Sequence, residues 1–280
     1  MTRIVAVGDN DVDCYHARNE MFPGGNCFNV AVFARRFGAT ASYVGAVGPD
    51  AAGDAMQRAL AAEEVITDRL KVLPGSTAYC VIGHRNGDRV FLKYDLGVSM
   101  FEPNDQDFTY VESFDAVHIG QSSGLDAHLV RFAKTAKLSY DFSTRRDAYH
   151  RASIAPLCYL ASISGGDLAL SDAEALLRST LDAGAQWCLV TRGDQGAILG
   201  RGDQIFRVPA VSIEAVDTLG AGDTFIARTL VGLLREEEPL ELLRAAAHEA
   251  AETCMRIGAV GHAAPMAVNA GDIPALEDVR

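Results

Sequence analysis

The chain has no surplus of positive charge. Lys and Arg number 25 against 37 Asp and Glu, a formal net charge of -12 over 280 residues, whereas nucleic acids and anionic membrane surfaces both select basic patches. Neither is expected as a partner. The same charge does not exclude a nucleotide, whose phosphates are met locally by backbone N–H donors and a metal. Long apolar runs are missing too: the run at 4–7 stops at once in Gly8-Asp9, too short for a signal peptide or a membrane span. Cys14, Cys27, Cys80, Cys158, Cys188 and Cys254 lie scattered, without a C-x-x-C or a zinc spacing, the pattern of reduced residues in a cytoplasmic protein. No G-x-G-x-x-G follows the first apolar run, which argues against a dinucleotide-dependent dehydrogenase. No repeat, low-complexity linker or domain-scale shift in composition divides the chain, and 49% hydrophobic residues suffice for one sizeable core. A soluble, cytoplasmic protein forming a single domain over 1–280 is expected.

What is present is alternation. Residues 3–7 read as a buried parallel strand whose C-terminal end carries Gly8, Asp9 and Asn10. Open α/β sheets bind ligands at that end, so Asp9, Asp11 and Asp13 are candidates for holding hydroxyls of a small polar ligand; a solvated acidic turn fits the same residues. A helix over 27–37 places Val30, Phe33, Ala34 and Phe37 on one face and ends at Gly38. Strands at 42–47, 116–119, 138–142, 159–163 and 188–191 alternate with helices at 54–62, 126–135 and 171–183, the last opened by a Ser171-x-x-Glu174 capping box. That order predicts a parallel sheet with right-handed crossovers. Extended segments at 77–84 and 89–94 flank Asn86-Gly87, a tight-turn dipeptide, and a hairpin out of place in an alternating chain implies a separate small sheet. After a short strand pair at 197–200 and 205–208 the chain ends in helices, at 221–234 and 239–257.

The strongest local signal is Asp217-Thr218-Leu219-Gly220-Ala221-Gly222-Asp223-Thr224-Phe225. A Gly-Ala-Gly turn running into a helix leaves backbone N–H groups without intrahelical partners, where the helix dipole adds positive potential. This is an anion hole, and small residues let a phosphate approach closely. Asp223 then sits in the first turn beside the anion, placed to take a proton from an attacking hydroxyl. An ordinary Gly-rich helix start, with Asp223 as dipole partner, fits Gly-Ala-Gly-Asp alone.

The run resembles the C-terminal signature of the ribokinase (PfkB) family of carbohydrate kinases, and Gly24-Gly25-Asn26-x-x-Asn29 resembles the N-terminal one. The resemblance covers residues 8 to about 261. It implies a ribokinase-like three-layer α/β/α sandwich with a mostly parallel central sheet and a small β-sheet lid, formed by about 11–22 and 77–98. It implies Asp223 as catalytic base, with Gly220, Ala221 and Gly222 as the hole for the transferred phosphate. Asp13, Gly25, Asn26 and Asn29 would meet the sugar, joined by Arg89 and Tyr94 of the lid. Thr191, Gly193 and Gly196 would approach ATP together with Gly220 and Gly222. Asp217 and the Leu219 carbonyl would lie near a monovalent cation such as K+.

The sequence departs from the family at three places. Asn26 stands where ribokinase itself has lysine. Asp141-Phe142-Ser143-Thr144-Arg145 has serine within a D-x-N-x-R element, leaving Arg145 as a phosphate clamp or as part of an exposed Arg145-Arg146 pair. Ser164-Gly165-Gly166-Asp167 replaces an N-x-x-E that organises Mg2+, with Asp167 as the substitute carboxylate. The expected activity is ATP-dependent phosphorylation of a primary hydroxyl. Gly8 to Tyr15, Gly24 to Val32, Asp88 to Phe91 and Asp141 to Ser143 look most like the members acting on fructoselysine-type adducts, whose positive amine Asp9, Asp11 and Glu20 would favour. A general ribose or fructose kinase is the alternative, as is a non-catalytic sensor on the same fold. A homodimer through the lid is expected.

Overall fold

The structure is a computed structural model that describes residues 2–85 and 88–268, with backbone alone for 84, 85 and 88–91. The chain opens with β1 (Arg3–Val7), β2 (Asp11–Tyr15), β3 (Glu20–Gly24), α1 (Asn26–Arg36), β4 (Thr40–Val44), β5 (Ala46–Val47), α2 (Ala51–Ala62), β6 (Lys71–Val72), β7 (Tyr79–Arg85) and β8 (Asp88–Asp95). It continues through α3 (Asp105–Val111), β9 (Ala116–Gly120), α4 (Leu129–Thr135), β10 (Lys137–Asp141), α5 (Ala148–Ile154), β11 (Cys158–Ser164), α6 (Leu170–Asp182) and β12 (Trp187–Thr191). β13 (Ala197–Arg201), β14 (Gln204–Val208), α7 (Ala221–Leu234), α8 (Pro239–Cys254) and β15 (Ala264–Pro265) complete it.

An eight-stranded sheet runs in the order β14-β13-β12-β11-β10-β9-β1-β4. Neighbours from β12 to β4 are parallel and the β13–β14 end is antiparallel. The pleat explains the apolar run of the first strand: Ile4 and Ala6 enter one core cluster while Val5 and Val7 enter the other, so both faces need covering. Val30 and Phe33 of α1, Leu60 of α2, Leu230 of α7 and Leu242 of α8 close one side. Phe108 of α3, Phe132 of α4, Ile154 of α5 and Leu177 of α6 close the other. The result is three layers, α/β/α.

A second sheet, β15-β3-β2-β7-β8, stands apart. Its residues Tyr15, Phe22 and Ile82 form a small cluster with Leu219 and Ile257, so this sheet rests on the loops before α7 and after α8. The Asn86-Gly87 turn expected between β7 and β8 lies outside the described residues.

Local expectations gave way where distant partners compete. The Ser171-x-x-Glu174 box does not form: α6 starts one residue earlier, with Ala169 at the N-cap and no side-chain cap, because Glu174 Oε1 accepts from Arg207 Nε at 2.7 Å. α2 begins at Ala51, not 54, since Asp50 accepts from Gly53 N at 2.8 Å as an N-cap. The helix expected from 126 opens as a 3-10 turn and becomes α only at Leu129, and α8 ends at Cys254, three residues short of 257.

Candidate active site

α7 starts at Ala221, where the sequence places the helix. Gly220 is the N-cap at φ 77°, ψ −3°, and no side chain caps this end. A Cβ on Gly220 would overlap Ala259 Cβ, so the left-handed turn and the close approach both demand glycine there. A Cβ on Gly222 would meet nothing within 4 Å, which leaves open space against the backbone at the positive end of the helix dipole.

Asp223 is held by α1. Asn26 and Asn29 lie three residues apart on the face of α1 that packs against α7, and their amides donate to the two carboxylate oxygens: Asn26 Nδ2 to Oδ1 at 2.8 Å, Asn29 Nδ2 to Oδ2 at 2.7 Å. Asn26 Nδ2 also donates to Asp141 Oδ2 at 3.1 Å. Asp9 accepts from the Asn26 backbone N–H at 3.0 Å and from the Ser123 hydroxyl at 2.7 Å. Burial pushes Asp223 up to about 6 in spite of the two amide donors, and the Asp9 charge adds to the rise. Asp141 is raised to about 7, chiefly by burial and then by Asp223 and Asp9. Asp11 moves up for the same reasons, burial first and then Asp9 and Asp223. A carboxylate raised to about 6, as Asp223 is, takes a proton more readily than an ordinary one, which suits a general base.

A cavity of about 180 Å³ opens in front of Asp223, lined by Asn26, Asp141, Ser143, Ser162, Thr191 and Gly222 among others. The strand residues come from the C-terminal ends of β10, β11 and β12, the edge at which open parallel sheets bind ligands. Ser162 Oγ, on a residue that lines this cavity, is buried with no hydrogen-bond partner among the described residues.

The remaining sequence candidates fall at different distances from this centre. β2 presents Asp11 and Asp13 on one face while Val12 and Cys14 enter the core; Asp13 is 5% exposed, with its carboxylate against Gly24. Gly25 (φ 97°) abuts the Asn10 backbone. Thr191 lines the cavity, Gly193 turns away from β12 at φ 57°, and Gly196 packs against the backbone at Val208, Pro209 and Ala210. Arg145 is half-exposed and pairs with Asp147 at 3.1 Å. Its neighbour Arg146 takes the inward place, donating to the Ser164 carbonyl at 2.6 Å and to both oxygens of Asp167, which holds the Asp167 carboxyl down to about 2. Glu20 pairs with Arg18 at 2.6 Å. Tyr94 is 71% exposed, and the side chain of Arg89 lies outside the described residues.

Asp217 braces two loops. Its Oδ1 accepts from Leu219 N at 3.0 Å, and its Oδ2 accepts from Gly258 N at 3.0 Å and from the Tyr15 hydroxyl. The carboxylate thus ties the loop before α7 to the turn after α8. Among the described residues no three His, Cys, Asp or Glu side chains converge to hold a metal ion. No helix of the described residues is long and apolar enough to cross a membrane, and the cysteines form no disulfide among the described residues. Three polar groups at or behind the site escaped sequence reasoning: His118, Ser139 and Ser162. Their one signal was a polar side chain within an otherwise apolar buried strand.

The profile of the pfkB family of carbohydrate kinases matches residues 1–265. The chain is 34% identical over 274 residues to the fructosamine kinase FrlD of Bacillus subtilis, covering 96% of each. It is 31% identical over 237 residues to the fructoselysine 6-kinase of Escherichia coli, covering 83% of this chain and 89% of the relative. The ribokinase of Arabidopsis thaliana, solved with ribose and ATP, superposes with a TM-score of 0.81 at 20% identity over 94% of this chain and 96% of that one, so the fold is ribokinase-like. The chain belongs to the pfkB family of carbohydrate kinases and is an ATP-dependent sugar kinase.

Proposed function

We propose that the acceptor is a sugar-amine of the fructoselysine type, a ketose joined to an amino acid, and that the γ-phosphate is transferred to its primary hydroxyl with Asp223 as base. The observation that carries the catalytic part is Asp223 itself. It lines the cavity one residue from the open backbone of Gly222, and burial raises its pKa to about 6.

In this reading Asp13, Asn26 and Asn29 orient the sugar, with Gly25 giving close backbone approach and Arg89 and Tyr94 contributing from the second sheet as a lid. The acceptor hydroxyl donates to Asp223. As its oxygen attacks the γ-phosphorus, the proton passes to the carboxylate, the bond to the β-phosphate oxygen breaks, and ADP leaves with that electron pair. Backbone donors at Gly220, Ala221 and Gly222 and the dipole of α7 take up the charge on the transferred group; one preorganised donor of this kind is worth roughly 10² to 10³ in rate. Thr191, Gly193 and Gly196 border the nucleotide. Since the described residues form no carboxylate cage and Asp167 is engaged by Arg146, Mg2+ would ride on the nucleotide phosphates, where it neutralises charge. K+ would sit among carbonyls near Leu219 and Gly258, in loops shaped by Asp217.

Two observations support the amine. The relatives named above act on fructosamine and fructoselysine, and the site is rich in carboxylates, with Asp9, Asp11 and Asp141 at or beside Asp223. With Glu20 committed to Arg18 and both Asp9 oxygens accepting from Asn26 and Ser123, Asp11 is the acidic group left to meet an ammonium group, by up to about 1 kcal/mol or about fivefold in affinity. The outer strand β8 and the turn after it expose Tyr94 and Leu96, at 71% and 52%, and a lid-to-lid homodimer would cover them. The test is ADP release with fructosyl-lysine, fructose and ribose side by side. A kcat/KM highest for the adduct is expected, and a preference for plain fructose or ribose would overturn the assignment in favour of a general sugar kinase.

A further inference from the structure

His118 stands in the middle of β9 and is 0% exposed, yet both of its ring nitrogens are engaged. Nδ1 lies 2.9 Å from Ser139 Oγ, and Nε2 lies 3.0 Å from Asn26 Oδ1. The far end of the same Asn26 amide sits between Asp223 and Asp141, at 2.8 and 3.1 Å. Only an NH2 group can face two carboxylates. The end toward His118 is therefore the carbonyl oxygen, an acceptor, and the nitrogen opposite it carries the proton. That leaves Nδ1 with its lone pair, which accepts from the Ser139 hydroxyl. The chain Ser139 to His118 to Asn26 to the two carboxylates has one consistent direction of donation.

Charge plays no part in it. Burial holds the ring neutral, its pKa lowered to about 3, so what His118 contributes is direction. A flipped Asn26 amide would set a carbonyl oxygen against Asp223 and Asp141 and an NH2 against the Nε2–H.

We propose that His118 is a positioning residue for the base: its Nε2–H locks the Asn26 amide with the NH2 on Asp223 and Asp141, while the Ser139 hydroxyl satisfies the other ring nitrogen. The inference rests on the reading of Asp223 as base for its catalytic consequence and on geometry alone for its structural one. The charged groups around Asp223 are Asp9 from the loop after β1, Asp11 of β2 and Asp141 at the end of β10. All are acidic, so the amide hydrogens of Asn26 and Asn29 are what hold Asp223 ionised and aimed.

The test compares H118F, H118Q, S139A, N26A and the H118F/N26A double variant by two readouts. One is the carboxyl titration of Asp223 followed by 13C NMR without substrates; the other is the pH profile of kcat. H118F should raise the titration midpoint by about one pH unit. Its kcat should then fall about fivefold at pH 6 and stay close to wild type at pH 8.5, with the KM for ATP unchanged. H118Q, whose terminal amide can present an N–H at the same reach, should restore most of the loss. In the N26A background H118F should add no further shift, because the group through which it acts is gone. A midpoint in H118F indistinguishable from wild type, or an equal further shift on top of N26A, would overturn the proposal. Should H118F fail to fold, H118L carries the comparison, since it too removes the ring N–H, and its midpoint must move upward; S139A, which leaves that N–H in place, should leave the midpoint unmoved. The titration needs no turnover, so it stands or falls apart from the role of Asp223 as base, which D223N decides.

Discussion

Substituting Gly222 by alanine should separate stability from activity. Gly222 is the second residue of α7, and a Cβ there meets nothing within 4 Å, so the fold tolerates the methyl without rearrangement. Alanine is the better helix former by up to about 1 kcal/mol, and in a chain of this size such a gain raises Tm by about 1–3 °C. The open space, however, is the approach to the helix N-terminus beside Asp223. A methyl group in it holds a phosphate away from the backbone donors, and kcat/KM should fall by about 10²-fold or more. Scanning fluorimetry and a coupled ADP-release assay on the same preparation read both effects. The control is G220A, where φ of 77° and the overlap with Ala259 Cβ cost about 1–2 kcal/mol in backbone strain before the clash is added, so Tm should drop. A G222A enzyme with turnover within about threefold of wild type would refute the placement of the phosphate at this helix end.

Other consequences follow from the same geometry. The acid limb of kcat should lie near pH 6, where Asp223 loses its charge, and N29L, which removes the 2.7 Å donor to Oδ2, should move the limb upward; a limb unmoved in N29L would contradict the role of that amide. Asp141 binds its proton more tightly in the folded chain, at about 7, than an ordinary aspartate does at 3.8, so its ionisation erodes stability as pH rises from about 4 through 7. D141N should therefore gain Tm relative to wild type at pH 8 and lose that advantage at pH 4, and a difference independent of pH would count against it. Potassium should support faster turnover than lithium at matched ionic strength, and Y15F, which removes the hydroxyl from Asp217, should raise the potassium needed for half-activation about threefold or more; equal rates in both salts would remove the cation from the account.

The sequence disclosed what is encoded over short spans. Gly220 to Asp223 and Asn26 with Asn29 were legible because a helix N-terminus is specified by a few consecutive residues, and the two motifs then meet because α1 packs on α7. The parallel sheet was legible from strands that are apolar on both faces. Contacts decided over long separations were not. His118 and Asn26 are 92 residues apart, and nothing local distinguishes a histidine that aims an amide from one that fills a core. The D-x-N-x-R spacing singled out Arg145, yet Arg145 pairs with Asp147 while Arg146 reaches Ser164 and Asp167. Glu174 matched a capping box until Arg207, 33 residues on, claimed it. The β2–β3 pair entered the sequence reading only through the family resemblance, as part of a lid over about 11–22, although Asp11-Val12-Asp13-Cys14 alternates polar and apolar as a half-buried strand does.

The most direct test of the account is turnover and binding of the D223N variant. The amide keeps the size of the carboxylate and its place near Asn26 and Asn29 but cannot take a proton. ADP release should fall at least about 10²-fold, while the dissociation constants for ATP and the acceptor, measured calorimetrically, stay within a few-fold of wild type. A D223N enzyme that keeps more than about a tenth of wild-type kcat would contradict Asp223 as the base.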